Sequence, residues 1–330
     1  MRKSPSLCLV LALTGAVGGL LSGGCAAPPA VTDAGPVATA SPRTGPTAGA
    51  GPTAGAGPIA PTPQPSGPAA ATDSTQAPQG TRALSVYFLL EETEDQEHRP
   101  GPFLVPVHRE VPRTEAVAAA AINQLLEGPT EEERSGFPAM STAIPEDTIL
   151  LGVNIEDSLA TVDLSGEFET GGGSFSMLAR LAQMVYTVTQ FPTVENVAFR
   201  LDGAPVEVFS GEGLVLDQPV GRDDYLDLLP LIFVDRPAWG APAGNPARVV
   251  GRAAVFEAVF HYSLVGGDGE ILEEGRAMTS EGQGWGDFDF TIPYSVADDQ
   301  LGALVVWDFS AEDGSRQNVR EYPVGVTPDG

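Results

Sequence analysis

Three consecutive glycines, Gly171 to Gly173, run into Ser174 and then into a helically periodic apolar stretch. Backbone amides at a helix N-terminus hold anions, and Ser174 is placed to cap there. Gly172, Gly173 and Ser174 are therefore a candidate contact for a carboxylate or a glycan acetamido group. No Gly-Lys-Ser/Thr follows, so the nucleotide phosphate-loop pattern is missing, and a flexible strand-to-helix connection accounts for the same residues. Trp239 and Trp285 lie beside glycine or proline, where a loop indole stacks on sugars. Together with Phe233 and Trp307 they equally suit a core. Asp163 and Glu167 are the carboxylate pair that glycan hydrolysis would use, but such a pair needs a set separation across a sugar site. Asp268, Glu270, Asp287 and Asp289 invite a calcium reading without matching the Asp-x-Asp-x-Asp-Gly loop, and turn aspartates commonly bond their own backbone. His98, His108 and His261 form no His-Glu-x-x-His pattern and no helical pair. There is no Gly-x-Ser-x-Gly elbow. The expectation is a chain without catalytic residues, metal ligands or cofactor.

Composition narrows the partners. The 330 residues carry 44 acidic against 17 basic side chains, a net charge of −27, with 42% hydrophobic residues. Such a balance opposes nucleic-acid binding and adhesion to anionic lipid, both of which need clustered Lys and Arg. The sole lysine is Lys3.

The N-terminus reads as an address. Arg2 and Lys3 precede an apolar run from Leu7 to Leu21, then Ser22-Gly23-Gly24 and Cys25, in the charged, apolar, small-residue order of a secretory signal. A cysteine directly after the small residues is similar to a bacterial lipoprotein signal, and the similarity implies lipidation of Cys25 as the mature N-terminus. The alternative is an uncleaved anchor, since 7–24 is near the lower limit for a bilayer span. Either way the rest lies outside the cytoplasm; if Cys25 carries lipid, Cys8 leaves with the signal and no second thiol remains for a disulfide. Residues 26–82 are Ala, Pro, Gly, Thr and Ser almost throughout, with GPTAGA at 45–50 repeated at 51–56. This segment is expected to be a disordered linker, too poor in apolar surface to offset its ordering entropy. Residues 83–330 keep 42 of the acids and 13 of the bases, a balance of −29.

That head is long enough for two domains. In the first, 83–229, SVYFLL and FLVPV read as buried strands around an acidic loop. Thr114 is expected to cap a helix from Glu115 to Glu127 that Gly128-Pro129 stops. TILLGVNI and LATVDL form a hairpin about Glu156-Asp157-Ser158, a second helix follows Ser174, and VENVAFRL pairs with PVEVFS around Asp202-Gly203. The result is an α+β domain with its helices packed on one mixed sheet. In the second, 230–326, seven strand-like runs without an amphipathic helix suit an all-β immunoglobulin-like sandwich.

Specific strings then go beyond periodicity. LVPVHREVP at 104–112, TAIPEDTILLGV at 142–153, ATVDLSGEFETGGGS at 160–174 and ARLAQMVYTVTQFPTVENVAFRLDG at 179–203 resemble the GerMN domain family. LLPLIFVDRPAWG at 228–240, VFEAVF at 255–260 and SAEDGS at 310–315 resemble the immunoglobulin-like domain of bacterial spore-germination proteins. The resemblance implies a lipid-anchored, extracytoplasmic envelope protein with a non-enzymatic binding or assembly role, linked in the founding members to sporulation or germination. It implies the membrane as partner through the N-terminal lipid, and an envelope protein or peptidoglycan as the second partner. No catalytic set comes with it. The alternative is a cell-wall glycan hydrolase, or a hydrolase accessory.

Overall fold

The computed structural model describes residues 80–91, 101–211 and 213–328. The signal segment with Cys25, nearly all of the 26–82 linker, and His98 lie outside the described residues. The described residues all belong to one compact unit.

Ten residues of each arm make the first hairpin. β1 (Thr81–Leu90) and β2 (Phe103–Pro112) pair antiparallel from Thr81↔Pro112 to Leu90↔Phe103. Val86 to Leu90 are buried one after another, not alternately, because both faces of β1 are covered. α1 (Val117–Leu126) buries Ala118, Ala121, Ile122 and Leu125, the spacing of a single helical face. It starts two residues later than Glu115. Thr114 Oγ1 takes the Ala116 amide instead of capping, and Ala116 is the N-cap. Gly128, at φ 77°, follows the helix end. The short α2 (Glu131–Ser135) was not foreseen, although its capping box is legible as Thr130-x-x-Glu133.

After β3 (Met140–Ser141) come β4 (Leu150–Glu156) and β5 (Leu159–Leu164), joined by Asp157 and Ser158 at φ 49° and 63°. Positive φ at both turn residues matches the twist of a two-residue hairpin. α3 (Ser174–Val188) then crosses to β6 (Asn196–Leu201), which lies parallel to β5. The expected PVEVFS strand is broken up. β7 (Ala204–Pro205) pairs briefly with β6, while β8 (Val208–Phe209) turns away to β9 (Leu214–Val215). Pro205 has no amide to continue the ladder. The sheets run β2-β1-β3 and β4-β5-β6-β7, the second of them mixed. α1 packs on β1 and β4, and α3 on β1 and β6, so the helices face two sheets where the sequence suggested one.

The second half has the expected seven strands: β10 (Ile232–Arg236), β11 (Ala247–Ala253), β12 (Val259–Val265), β13 (Ile271–Met278), β14 (Gly286–Ile292), β15 (Gln300–Phe309) and β16 (Arg316–Val326). They form two antiparallel sheets, β10-β11-β14 and β13-β12-β15-β16, the layering of an immunoglobulin-like sandwich. Phe260 meets Phe288 at 4.7 Å and Tyr262 meets Phe290 at 4.9 Å between the sheets. Gly251 has no substitute here, since a Cβ would fall 2.0 Å from the Phe233 carbonyl oxygen.

A short strap after β10 joins the two halves. Trp239 exchanges backbone bonds with β2, donating to Pro106 O at 2.8 Å and accepting from His108 N at 2.9 Å. Gly240 then donates to Pro323 O, and Ala243 and Gly325 bond across the same stretch, tying it to β16. The buried apolar side chains of both halves form one continuous cluster.

Candidate functional site

The polar chemistry concentrates where the halves meet. A 3-10 segment, Arg222–Leu228, opens at Gly221, whose amide donates to the Asp224 carboxylate at 2.7 Å. Its first residue sends a guanidinium back into the seam. Arg222 Nε donates to Thr189 Oγ1 at 2.8 Å, Nη1 to Asp235 Oδ1 at 3.1 Å, and Nη2 to Tyr87 Oη at 3.1 Å and Tyr186 O at 3.2 Å. Tyr87 Oη in turn donates to Asp235 Oδ1 at 2.5 Å, and Tyr186 Oη to Arg222 O at 3.1 Å. The cation lies over the rings of Tyr186 (4.7 Å) and Tyr87 (5.4 Å). β1, α3, the connecting segment and β10 thus meet at a single side chain.

Charge in this seam is matched. Burial pushes both tyrosine hydroxyls well above the ordinary phenol range despite the neighbouring Arg222, so they stay neutral donors. Burial works against the Arg222 cation, but Tyr87 and Asp235 more than offset it, and its pKa is raised. Beside it, Arg252 bridges Asp223 (2.5 Å) and Asp287 (3.1 Å), and Arg248 holds Asp289 through two bonds of 2.9 and 2.5 Å.

On one side of this lock lies a cleft of about 500 Å3 between the domains. Arg82, Ser85, His108, Gln190, Arg236 and Arg248 line it, with walls that include Pro192, Pro237 and Pro242. A volume of this size suits a small ligand or the end of a polymer.

The residues singled out in the sequence do not converge there. Gly171 and Gly172 take φ of 61° and 83°, and Gly173, extended, is the N-cap of α3. Ser174 is therefore the first helical residue and not the cap, because the glycine already occupies that place. The loop is held from inside by Arg180, whose side chain is buried. Arg180 donates to Phe168 O at 2.7 Å, Gly171 O at 2.6 Å and Ala143 O at 2.8 Å. Trp239 and Trp285 are both half-buried against the core. They flank opposite ends of the β10-β11-β14 sheet, one after Arg236 and one before Gly286. Asp163 Oδ1 accepts from Gly203 N at 3.0 Å, which fixes the β6–β7 turn. Glu167 is exposed, and its hydrogen bond from Ser165 holds it below the usual carboxylate range. Asp287 and Asp289 are taken by arginines, and Asp268 accepts the Glu270 amide at 3.0 Å. Among the described residues, no group of three His, Cys, Asp or Glu side chains is placed to hold a metal.

Sequence reasoning missed the Arg222 seam. Its available signal was scarcity, since a head with 13 bases places Arg222 beside two aspartates in Gly221-Arg222-Asp223-Asp224.

Comparisons with known proteins fit this division. Residues 85–207 match the family model described as sporulation and spore germination, and residues 231–315 the immunoglobulin-like domain of bacterial spore germination. The chain is similar to lipoprotein LpqB of Thermobifida fusca, 33% identical over 140 residues, which cover 41% of this chain and 20% of that protein. It is also similar to the spore germination protein GerM of Bacillus subtilis, 30% identical over 152 residues, covering 44% of this chain and 38% of GerM. The chain thus spans well under half the length of either relative. Among solved structures, the tandem GerMN domains of B. subtilis GerM share 27% identity over 47% of this chain and 49% of that one, with a TM-score of 0.35. The first GerMN domain alone shares 19% over 43% of this chain and 99% of that one, with a TM-score of 0.36. The chain therefore joins a GerMN-type domain of the sporulation and spore germination family to an immunoglobulin-like domain of the bacterial spore germination type.

Proposed function

We propose that this protein is a lipid-anchored, extracytoplasmic envelope component whose two-domain head binds or assembles with a partner instead of catalysing a reaction. The observation that carries this reading is the Arg222 seam. It fuses two domains into one body with a preformed cleft, and it spends its polar groups on each other. The carboxylates suited to glycan hydrolysis support it too, since Asp163 is committed to a turn. Similarity to a lipoprotein and to a germination protein supports the envelope placement, as does the Cys25 signal. No helix among the described residues is long and apolar enough to cross a membrane, and the anchor assigned in this reading is the lipid on Cys25.

Two experiments test it. Fractionation of cells carrying Cys25→Ser should move the protein out of the membrane fraction, and full retention there would contradict lipid anchoring. Cross-linking in cells followed by recovery of the head should capture an envelope protein or wall fragment, while purified protein releases no soluble product from cell walls. Release that disappears with Glu167→Gln, an exposed position that spares the fold, would overturn the non-enzymatic reading.

A further inference from the structure

The interdomain cleft reverses the charge of the molecule around it. Residues 80–330 carry 42 acids against 14 bases, a balance of −28, yet three of the charged side chains facing the cleft are arginines, with Asp235 as the single acid. Asp235 is already satisfied by Arg222 and Tyr87, and Arg248 by Asp289. The Arg82 and Arg236 side chains have no ion pair or hydrogen bond among the described residues, and the His108 ring has no hydrogen bond there. In a head with three acids for every base, leaving two guanidiniums unpaired at one cleft runs against the surrounding electrostatics. The general negative field decays over roughly 8 Å at physiological salt, so these two cations dominate inside the cleft.

The chemistry of such a site is narrow. A guanidinium is a planar fork that grips carboxylate or phosphate through paired charge-assisted bonds. The prolines of the wall give a rigid, apolar surface for the body of a ligand. The floor is fixed by the Arg222 network, so little ordering is left to binding. We propose that the interdomain cleft binds a small ligand, or the end of a polymer, bearing an oxyanion, held by Arg82 and Arg236 with His108 beside them. The oxyanion is a carboxylate, as on an acidic sugar or peptide end, or a phosphate ester. This proposal is independent of the envelope reading, because it is tested with soluble compounds.

The test titrates the full chain with N-acetylmuramic acid, with glycerol phosphate and with neutral N-acetylglucosamine, following heat or amide shifts. The expected result is saturable binding of at least one acidic compound, with Kd of about 1 mM or tighter. The neutral sugar should bind at least about tenfold more weakly. The acidic compound that saturates identifies carboxylate or phosphate as the group recognised. An Arg82→Gln, Arg236→Gln double variant should lose at least about tenfold in affinity, as expected for lost charge-assisted bonds. Its melting temperature should stay unchanged, because neither side chain has a partner to lose. Equal binding of the neutral sugar, no saturation by either acid, or undiminished affinity in the double variant would each overturn the proposal.

Discussion

Arg222 is about a quarter exposed, yet donates to four groups on three elements. Removing one partner of a largely buried ion pair strands the other, which costs more than the pair contributes. Arg222→Met should therefore lower the unfolding free energy by about 2–4 kcal/mol. Asp235→Asn should cost less, because an amide oxygen still accepts from Tyr87. Urea unfolding of the two variants checks the order. The glycine loop gives a second contrast. A Cβ at Gly172 would lie 2.6 Å from Ser176 Oγ and 3.0 Å from Arg180 Nη2, at φ +83°, whereas one at Gly173 meets nothing within 4 Å. Gly172→Ala should destabilise by about 1–3 kcal/mol and Gly173→Ala by under about 0.5 kcal/mol. Equal melting temperatures would contradict the role given to Arg180 as the internal brace of that loop.

At the scale of elements, α2 is too short to persist unaided and is held through Glu133. That carboxylate receives two bonds from Arg109 on β2, at 2.8 and 2.7 Å, and the Thr130 amide at 2.8 Å. Burial works to raise its pKa, but Arg109 and Thr130 outweigh burial and leave it below the ordinary 4.5. A depressed carboxylate stabilises fully above its unfolded pKa and loses that contribution as pH falls through the folded value. Glu133→Gln should thus cost about 1–2 kcal/mol near pH 7. Its penalty should shrink steadily below about pH 4.5. A penalty that is constant from pH 7 to pH 3 would assign the effect to packing. The longer elements were legible from their own residues. α3 shows its periodicity, and the seven late strands show their turn residues. What was not legible depended on a partner distant in sequence. α1 lost its first two residues to a local Thr114 bond, and PVEVFS divided because β9 offered a second pairing edge beyond Pro205. The helices face two sheets because each packs on β1 and also on a strand of the β4-β5-β6-β7 sheet, a meeting no local window contains.

For the whole molecule, the decisive feature is the junction. The strap at Trp239–Ala243 hydrogen-bonds β2 on one side and β16 on the other, and the apolar cluster passes through without a gap. Trp239 was singled out as a sugar platform on the strength of its flanking residues, and in the structure its backbone is a splice between domains. Arg222 and Asp235 carry no local signal of their pairing, because they stand thirteen positions apart and their meeting is a product of the packed fold. The chain's charge has a matching logic, with a repelling acidic exterior and a cleft in which two of the three arginine side chains are left unpaired among the described residues. All of this rests on the two domains forming one body. Differential scanning calorimetry of the full chain tests that most directly. A single transition with equal calorimetric and van't Hoff enthalpies is predicted, and Arg222→Met should lower its midpoint. Two separated transitions, with the midpoint of only one moved by Arg222→Met, would contradict the account.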